Sequence, residues 1–343
     1  MRRVSRRPHP HLINLLATYE HNDRYHLLFP WAKGNLYTFW QTVHPQNDET
    51  GSKARWLVQQ SRGLASGLAR IHRYQRTSSD SIMNVMGLAS KLEASRVQSQ
   101  DPQGKGKGKD PKVLFCRHGD IKPENILWFP AAPGSEDDNL GVLIISDFGI
   151  AEFDVQDDVP RSQQKAASLV YEAPEVYLPV GDGVINTRYD VWGLGCIFLE
   201  FLAWYFGGWD EVNRFLDKKM DPDEVVGNTF DSRKFRAGMF FIIGTNPTTK
   251  APEGWVKESV RQFILELYSQ PRCTEFIHEF LALIECDMLV VEADGKRRFH
   301  SAEVEKQLER MEHKEKRLSG YFTYPAPWTE RLPWNRDRTF GSR

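Results

Sequence analysis

A long apolar run in the second half of the chain is the feature that most restricts the possible folds. Residues 191–206 read VWGLGCIFLEFLAWYF and contain one charged side chain, Glu200. The run is shorter than the ~20 apolar residues that a bilayer-spanning helix needs. We therefore predict that it forms a buried helix in the core of a soluble protein.

Composition excludes several classes of function. The chain has 343 residues, 45 Lys and Arg against 46 Asp and Glu, and a formal net charge of −1. This balance does not favour a nucleic-acid partner or a membrane surface. The N-terminus has no apolar segment of a secretory signal, and the four cysteines are too scattered for a disulfide framework. We expect a cytoplasmic protein, with a nuclear location left open.

Hydrophobic periodicity predicts a small β-hairpin followed by a mainly helical body. Residues 12–19 and 24–31 are apolar runs separated by the turn-like EHND, which is typical of a hairpin. A polar stretch then continues to residue 52. Apolar positions at helical spacing predict a helix over 55–72. Further strands are predicted at 125–129 and 141–146, and further helices at 191–206, 255–269, 274–291 and 301–317.

Residues 75–112 differ from the rest of the chain. They are rich in serine and then read DPQGKGKGKDPK. The glycines do not make the phosphate-binding pattern G-x-G-x-x-G, because Lys109 stands at the third glycine position. We predict a low-complexity insertion, with a short helix possible within 82–95.

Three carboxylate and amide side chains make up a set that suits phosphoryl transfer. Asp120 and Asn125 flank a tight turn held by Pro123, and Asp147 follows the apolar run VLIIS. Oxygen ligands from Asn125 and Asp147 suit Mg²⁺, which also binds substrate phosphates. Lys122 adds a positive charge near those phosphates. Asp120 is then available as a base for an attacking hydroxyl group.

The order of these motifs resembles the protein kinase family. HGDIKPEN at 118–125, DFG at 147–149 and APE at 173–175 are similar to the family's H-R-D-x-x-x-x-N, D-F-G and A-P-E motifs. The resemblance extends from about residue 10 to about residue 310. It implies an α+β, protein-kinase-like fold, consisting mainly of the helical C-lobe and the hinge, with most of the β-rich N-lobe absent.

The resemblance implies roles at the reaction centre and at the nucleotide. Asp120 would be the catalytic base and Lys122 would contact the γ-phosphate, while Asn125 and Asp147 would bind Mg²⁺. At the nucleotide base, Leu28 would be the gatekeeper, the backbones of Phe29 and Trp31 would meet the adenine, and Leu127 would lie under the ring.

The resemblance also implies structural roles. Phe148 and Gly149 complete the D-F-G motif, and Ser168 and Tyr171 match the substrate-facing loop. Glu175 would pair with Arg298 or its neighbour Arg297, and Asp190 would hydrogen-bond the backbone of the catalytic loop.

Two departures from the family pattern carry consequences. Gly119 stands where the family usually has an arginine that receives a phosphorylated activation loop, so we expect activity that does not wait on that phosphorylation. No glycine-rich loop or third-strand lysine precedes the first strand. We therefore expect this chain alone to be N-terminally truncated and weakly active, with a remnant of the N-lobe at 1–35, a C-lobe at 36–317 and a Pro/aromatic/Arg-rich tail at 318–343.

The implied function is ATP- and Mg²⁺-dependent phosphorylation of protein Ser/Thr hydroxyls, with ATP and a protein substrate as partners. Two alternatives remain. A kinase-shaped scaffold that only binds partners would fit the missing lysine, and a small-molecule phosphotransferase would fit His-Gly-Asp. The oligomeric state is not predicted.

Overall fold

The computed structural model of the protein describes twelve segments: 8–22, 24–45, 48–73, 115–132, 140–147, 152–154, 159–160, 169–178, 184–220, 238–246, 248–292 and 296–326. The predicted insertion at 75–112, the short helix within 82–95 and the tail beyond 326 lie outside these segments. So do Phe148, Gly149 and Ser168.

Short antiparallel strands and helices alternate through the described segments, and the fold is α+β as predicted. The strands are β1 (Ala17–His21), β2 (Arg24–Leu28), β3 (Gly34–Asn35), β4 (Phe115–Arg117), β5 (Ile126–Phe129), β6 (Val142–Ile145), β7 (Glu152–Asp154), β8 (Val159–Pro160), β9 (Val184–Ile185), β10 (Phe241–Thr245) and β11 (Pro252–Val256). The helices are α1 (Leu36–Thr42), α2 (Ser52–His72), α3 (Arg188–Met220), α4 (Glu258–Tyr268), α5 (Glu275–Leu283) and α6 (Ser301–Lys314). A π-helical turn over Ile284–Met288 continues α5.

Helix α3 lies at the centre of the core, as the apolar run predicts. Every residue from 189 to 206 is buried. The helix is longer than predicted and bends at Gly208, whose φ of 69° is left-handed. By length and composition α3 could span a membrane, but 94% of its most apolar stretch is buried inside the protein. Its environment is therefore that of a core helix.

A glycine lets α3 approach the loop that carries Asp120. A Cβ atom added to Gly193 would lie 2.9 Å from the carbonyl oxygen of Ile121. Real Cβ atoms rarely come so close to backbone oxygen, so this contact requires glycine. Helix α3 therefore contacts the backbone of the Asp120 loop directly at Gly193.

The segment before the hairpin pairs with β6 instead of extending β1. Ile13 N donates to Ile145 O at 2.8 Å, and Ile145 N donates to His11 O at 2.9 Å. The first predicted strand, 12–19, therefore begins only at Ala17, where pairing with Leu28 starts. Strand β6 also pairs with β5, and β5 with β3, so residues 11–13 brace the strand that ends just before Asp147.

Helix α1 was not predicted from the polar stretch that ends at residue 52. Asn35 caps it, because the side-chain oxygen accepts a hydrogen bond from Thr38 N at 3.1 Å. Its apolar residues Leu36, Phe39 and Trp40 are all buried. Three apolar residues in seven positions are too few to show a period, and the packing of Phe39 against neighbouring aromatic rings stabilises the helix instead.

The mainly helical body predicted after the first hairpin is interrupted by two strands within residues 241–256. Strands β10 and β11 form an antiparallel hairpin there, in which Phe241 pairs with Val256. Helix α4 consequently begins at Glu258 and not at 255. The ring of Phe241 packs on Trp192 of α3, with centroids 5.7 Å apart. Tertiary contact with α3 thus decides the conformation of this segment.

The described part of the tail packs on α5. Phe276 N donates to Tyr321 O at 3.2 Å, and Ala326 N donates to Cys273 O at 2.9 Å. Tyr321 and Phe322 are buried. Helix α6 ends at Lys314, three residues before the predicted boundary.

We predict that stability falls as pH is lowered from about 7 to 4, in part because of His9. Burial, with His11 and Arg70 nearby, lowers the pKa of His9 from 6.5 to about 4. Between these values the unfolded chain binds a proton that the folded chain does not, so acid favours unfolding. In urea titrations, His9→Gln should flatten this pH dependence, and the exposed His21→Gln should not. Equal slopes in all three proteins would contradict the assignment.

We also predict that Gly193→Ala lowers the free energy of unfolding by about 2 kcal/mol, because the new methyl group meets the Ile121 carbonyl. Gly67→Ala in α2 is the matched control, since its nearest neighbour is the flexible end of Leu12. It should leave stability unchanged or raise it by up to about 1 kcal/mol. Denaturant titration measures both, and an equal effect of the two substitutions would refute the close-contact explanation.

Candidate active site

A buried carboxylate holds the backbone of the loop between β4 and β5. Asp190, in the first turn of α3, accepts hydrogen bonds from His118 N at 2.7 Å and Gly119 N at 2.8 Å. Gly119 has a φ of 83°, a left-handed conformation that glycine adopts without strain. The carboxylate therefore sets the path of the chain just before Asp120.

Two further side chains hold Asp190 itself. His72 Nε2 lies 2.8 Å from Asp190 Oδ2, and Ser301 Oγ lies 2.8 Å from His72 Nδ1. These hydrogen bonds join the end of α2 and the start of α6 to the beginning of α3. Hydrogen bonds from His72 and the Gly119 backbone, together with the nearby His118, lower the pKa of Asp190 despite its complete burial.

His118 connects the same loop to the end of β6. Its Nε2 lies 3.0 Å from Ser146 O, and its Nδ1 accepts from Asp120 N at 3.3 Å. Burial lowers the pKa of His118. The hydrogen bonds fit a neutral imidazole with its proton on Nε2, because one nitrogen faces a carbonyl and the other faces an amide.

The side chains of Asp120, Lys122 and Asn125 converge on one oxygen atom. Lys122 Nζ lies 2.7 Å and Asn125 Nδ2 lies 3.0 Å from Asp120 Oδ2. Asn125 Nδ2 also donates to the backbone oxygen of Asp120 at 2.8 Å. Both partners of this nitrogen are acceptors, which fixes the orientation of the amide. The amide oxygen of Asn125 is then the atom with which this side chain can bind a cation.

Asp147 is placed beside Asn125 by the end of the β5–β6 ladder. Ser146 N donates to Asn125 O at 2.8 Å, and Ser146 Oγ donates to the same oxygen at 3.0 Å. Asp147 follows directly, is exposed, and has a φ of 61°. Aspartate is one of the few residues that adopt this left-handed conformation. An amide oxygen and a carboxylate on adjacent backbone are a donor set that fits Mg²⁺ bound together with substrate phosphates.

The predicted adenine-binding residues lie along the segment that leads into β3. Lys33 N donates to Trp128 O at 3.0 Å, and Asn35 pairs with Leu127, so this segment runs beside β5. Leu28 and Phe29 are 40% and 41% exposed, and Trp31 is 96% exposed. Leu127 is half-buried and lies on the opposite face of β5 from the buried Ile126 and Trp128.

Arg298, and not its neighbour Arg297, makes the ion pair with Glu175. Its two terminal nitrogens lie 2.7 and 3.0 Å from the two carboxylate oxygens of Glu175. They also donate to Arg188 O and Val290 O, each at 2.8 Å. Both side chains are buried, and the guanidinium lies over the Trp192 ring. The turn of residues 174–176 is thereby tied to α3.

His72 and Ser301 were missed as parts of this region. Sequence periodicity marks His72 only as the last residue of α2. It marks Ser301 only as the first residue of α6. Their contact spans 229 positions. The charged pair Glu200 and Lys219 in α3 was missed as well, apart from the observation that Glu200 interrupts the apolar run.

We predict that Asp190→Asn destabilises the fold by about 3 kcal/mol. The amide has the shape of the wild-type side chain. Its NH₂ group, however, would face buried N–H donors that bind the carboxylate in the wild type. The exposed Asp210→Asn on the same helix is the control and should change stability by less than about 0.5 kcal/mol. Denaturant titration compares the three proteins. Wild-type stability of the Asp190 variant would contradict this role of its charge.

Part of the chain is similar in sequence to known protein kinases. Residues 113–271 match the family model of the protein kinase domain. Cyclin-dependent kinase-like 4 of Homo sapiens is 38% identical over 88 residues, which are 26% of this chain and 20% of that protein. The CTD kinase subunit alpha of Schizosaccharomyces pombe is 31% identical over 99 residues, which are 28% of this chain and 15% of that protein.

The matched parts thus span a fifth or less of the length of these two relatives. A solved structure, that of the yeast RNA Pol II CTD kinase CTDK-1 complex, is 18% identical with a TM-score of 0.46, and covers 88% of this chain and 76% of that chain. Residues 113–271, which match the family model, contain the Asp120 loop, the β5–β6 ladder with Asp147, and all of α3. These sequence matches support membership of the protein kinase family, and the family model covers residues 113–271.

Proposed function

We propose that the protein transfers the γ-phosphoryl group of Mg-ATP to Ser or Thr hydroxyls of a protein substrate. The observation that carries this proposal is the convergence of Lys122 Nζ and Asn125 Nδ2 on one carboxylate oxygen of Asp120, with Asp147 beside Asn125. Phosphoryl transfer in protein kinases uses a carboxylate base together with oxygen ligands for Mg²⁺.

Asp120 is proposed as the base that orients the attacking hydroxyl and accepts its proton. Its carboxylate is partly exposed, so a substrate can reach it. Lys122 and Asn125 both donate to Oδ2, and these contacts hold the carboxylate that would receive the substrate hydroxyl. Lys122 is long enough to contact a phosphate as well. It would neutralise charge that develops during transfer.

Asn125 and Asp147 are proposed to hold Mg²⁺, which would supply charge neutralisation at the phosphates. The adenine is proposed to lie between Leu127 and the backbone of residues 29–31, with Leu28 at the rear. This assignment treats 1–35 as an N-lobe segment, 36–317 as a C-lobe and 318–343 as a tail. We place the protein in the cytoplasm, where ATP is available and cysteines stay reduced.

Two substitutions separate nucleotide binding from transfer. Mg-ATP at a hundredfold excess over its Kd should stabilise the wild type by about 2.7 kcal/mol in a thermal-shift experiment. Asp147→Asn should lose the Mg²⁺-dependent part of this shift. Asp120→Asn should keep the shift while its rate of phosphoryl transfer to a mixed Ser/Thr peptide library falls by about 10² to 10⁴.

Asp210→Asn is the control and should match the wild type in both assays. A wild type without a Mg²⁺-dependent shift would refute the nucleotide site. A Mg²⁺-dependent shift without transfer in the wild type would indicate a kinase-shaped binding module instead. Transfer by Asp120→Asn at the wild-type rate would remove the base from the mechanism.

A further inference from the structure

A chain of four polar side chains, three of them buried and Tyr37 half-buried, runs from α1 to the far end of α3. Tyr37 Oη and Tyr171 Oη are 2.9 Å apart, and Tyr171 Oη donates to Glu200 Oε2 at 3.0 Å. Lys219 Nζ donates to Glu200 Oε1 at 2.9 Å. We call these residues the polar chain. None of the four is needed for the chemistry proposed above.

The direction of each hydrogen bond follows from the number of protons that each group can donate. A carboxylate only accepts, so the single hydroxyl proton of Tyr171 goes to Glu200. The oxygen of Tyr171 must then accept the proton of Tyr37. Burial raises the pKa of both phenols, and both therefore keep their protons at neutral pH. The order is Tyr37 to Tyr171 to Glu200, with Lys219 donating from the other side.

Glu200 and Lys219, the ionic end of the polar chain, are held in place by their burial. Glu200 and Lys219 are both almost completely buried. The ammonium group of Lys219 also lies 3.9 Å from the centre of the Phe240 ring. A buried charge that loses its partner is strongly destabilising. Glu200 is therefore a fixed acceptor, and it holds the Tyr171 hydroxyl in one place.

The other end of the polar chain lies between the two sides of the active site. Tyr171 lines a small pocket, which we call the Asp120 cleft, together with Gly119, Asp120 and Asp190. Tyr37 is the second residue of α1, which begins directly after Asn35, the residue paired with Leu127. One hydroxyl pair thus connects the segment next to the proposed adenine site with the wall of the cleft at Asp120.

We infer that Tyr37, Glu200 and Lys219 are positioning residues that hold the segment 169–178 against the Asp120 cleft. Through Tyr37 they also couple this segment to nucleotide bound along residues 28–35. The coupling rests on the proposed function, whereas the positioning does not. The buried hydrogen-bond chain makes this segment part of the site before any substrate binds.

Hydrogen exchange at the amides of Val176 and Tyr177 tests the inference. Both amides lie in the segment and are protected by hydrogen bonds to Ala173 O and Pro174 O. Tyr37→Phe removes one hydroxyl and should speed their exchange about fivefold in the free protein, the effect of one lost buried hydrogen bond. Tyr205→Phe is the matched control, because it removes a hydroxyl bonded to Asp48 at a different place.

The same measurement with Mg-ATP tests the coupling. Mg-ATP should slow exchange at these two amides in the wild type, and the slowing should be at least halved in Tyr37→Phe and retained in Tyr205→Phe. Equal exchange of Tyr37→Phe and wild type in the free protein would overturn the positioning role. A Mg-ATP thermal shift without slower exchange in the wild type would overturn the coupling alone. Absence of any thermal shift would refute the proposed function together with the coupling, while the free-protein comparison would still decide the positioning role.

Discussion

The Asp190 carboxylate is the interaction on which the arrangement of the site depends. It lies in the first turn of α3, where the helix dipole favours negative charge, and it accepts two backbone N–H groups of the Asp120 loop. These donors would otherwise be buried without a partner, which costs as much as a hydrogen bond. His72 adds a third donor from α2. This one side chain therefore fixes the positions of the Asp120 loop, α3 and α2 relative to each other.

Two further ion pairs, buried in the apolar core, fix other parts of the chain to α3. Near its start, Arg298 joins Glu175 and the backbone of Arg188. Further along, Glu200 is held by Lys219 and receives Tyr171. Charges in such a core persist only when they are paired and hydrogen-bonded. Residues 171–175 are thus fixed at both ends, by the bond of Tyr171 to Glu200 and by the pair of Glu175 with Arg298.

Local sequence patterns predicted the elements whose burial pattern is visible within one short stretch of sequence. The helix α2 and the β5–β6 pair were found because burial on one face repeats at the spacing of the element. The core helix α3 was found because its sequence is apolar without interruption except at Glu200. Helix α1 and the β10–β11 hairpin were missed for the opposite reason. Their stability comes from contacts of Phe39 and Phe241 with distant aromatic rings, and no short window of sequence contains those partners.

The sequence by itself predicted that Asp120, Lys122, Asn125 and Asp147 act together, because three of them share one turn and the fourth follows the second of two strands predicted after that turn. It also determined the resemblance to protein kinases, through motifs whose order and spacing are read without any coordinates. Only the tertiary structure decided which arginine meets Glu175, which residues hold Asp190, and that Tyr37 reaches Tyr171 across 134 positions. These choices depend on how helices pack, and packing is a property of surfaces brought together from distant parts of the chain rather than of any local pattern.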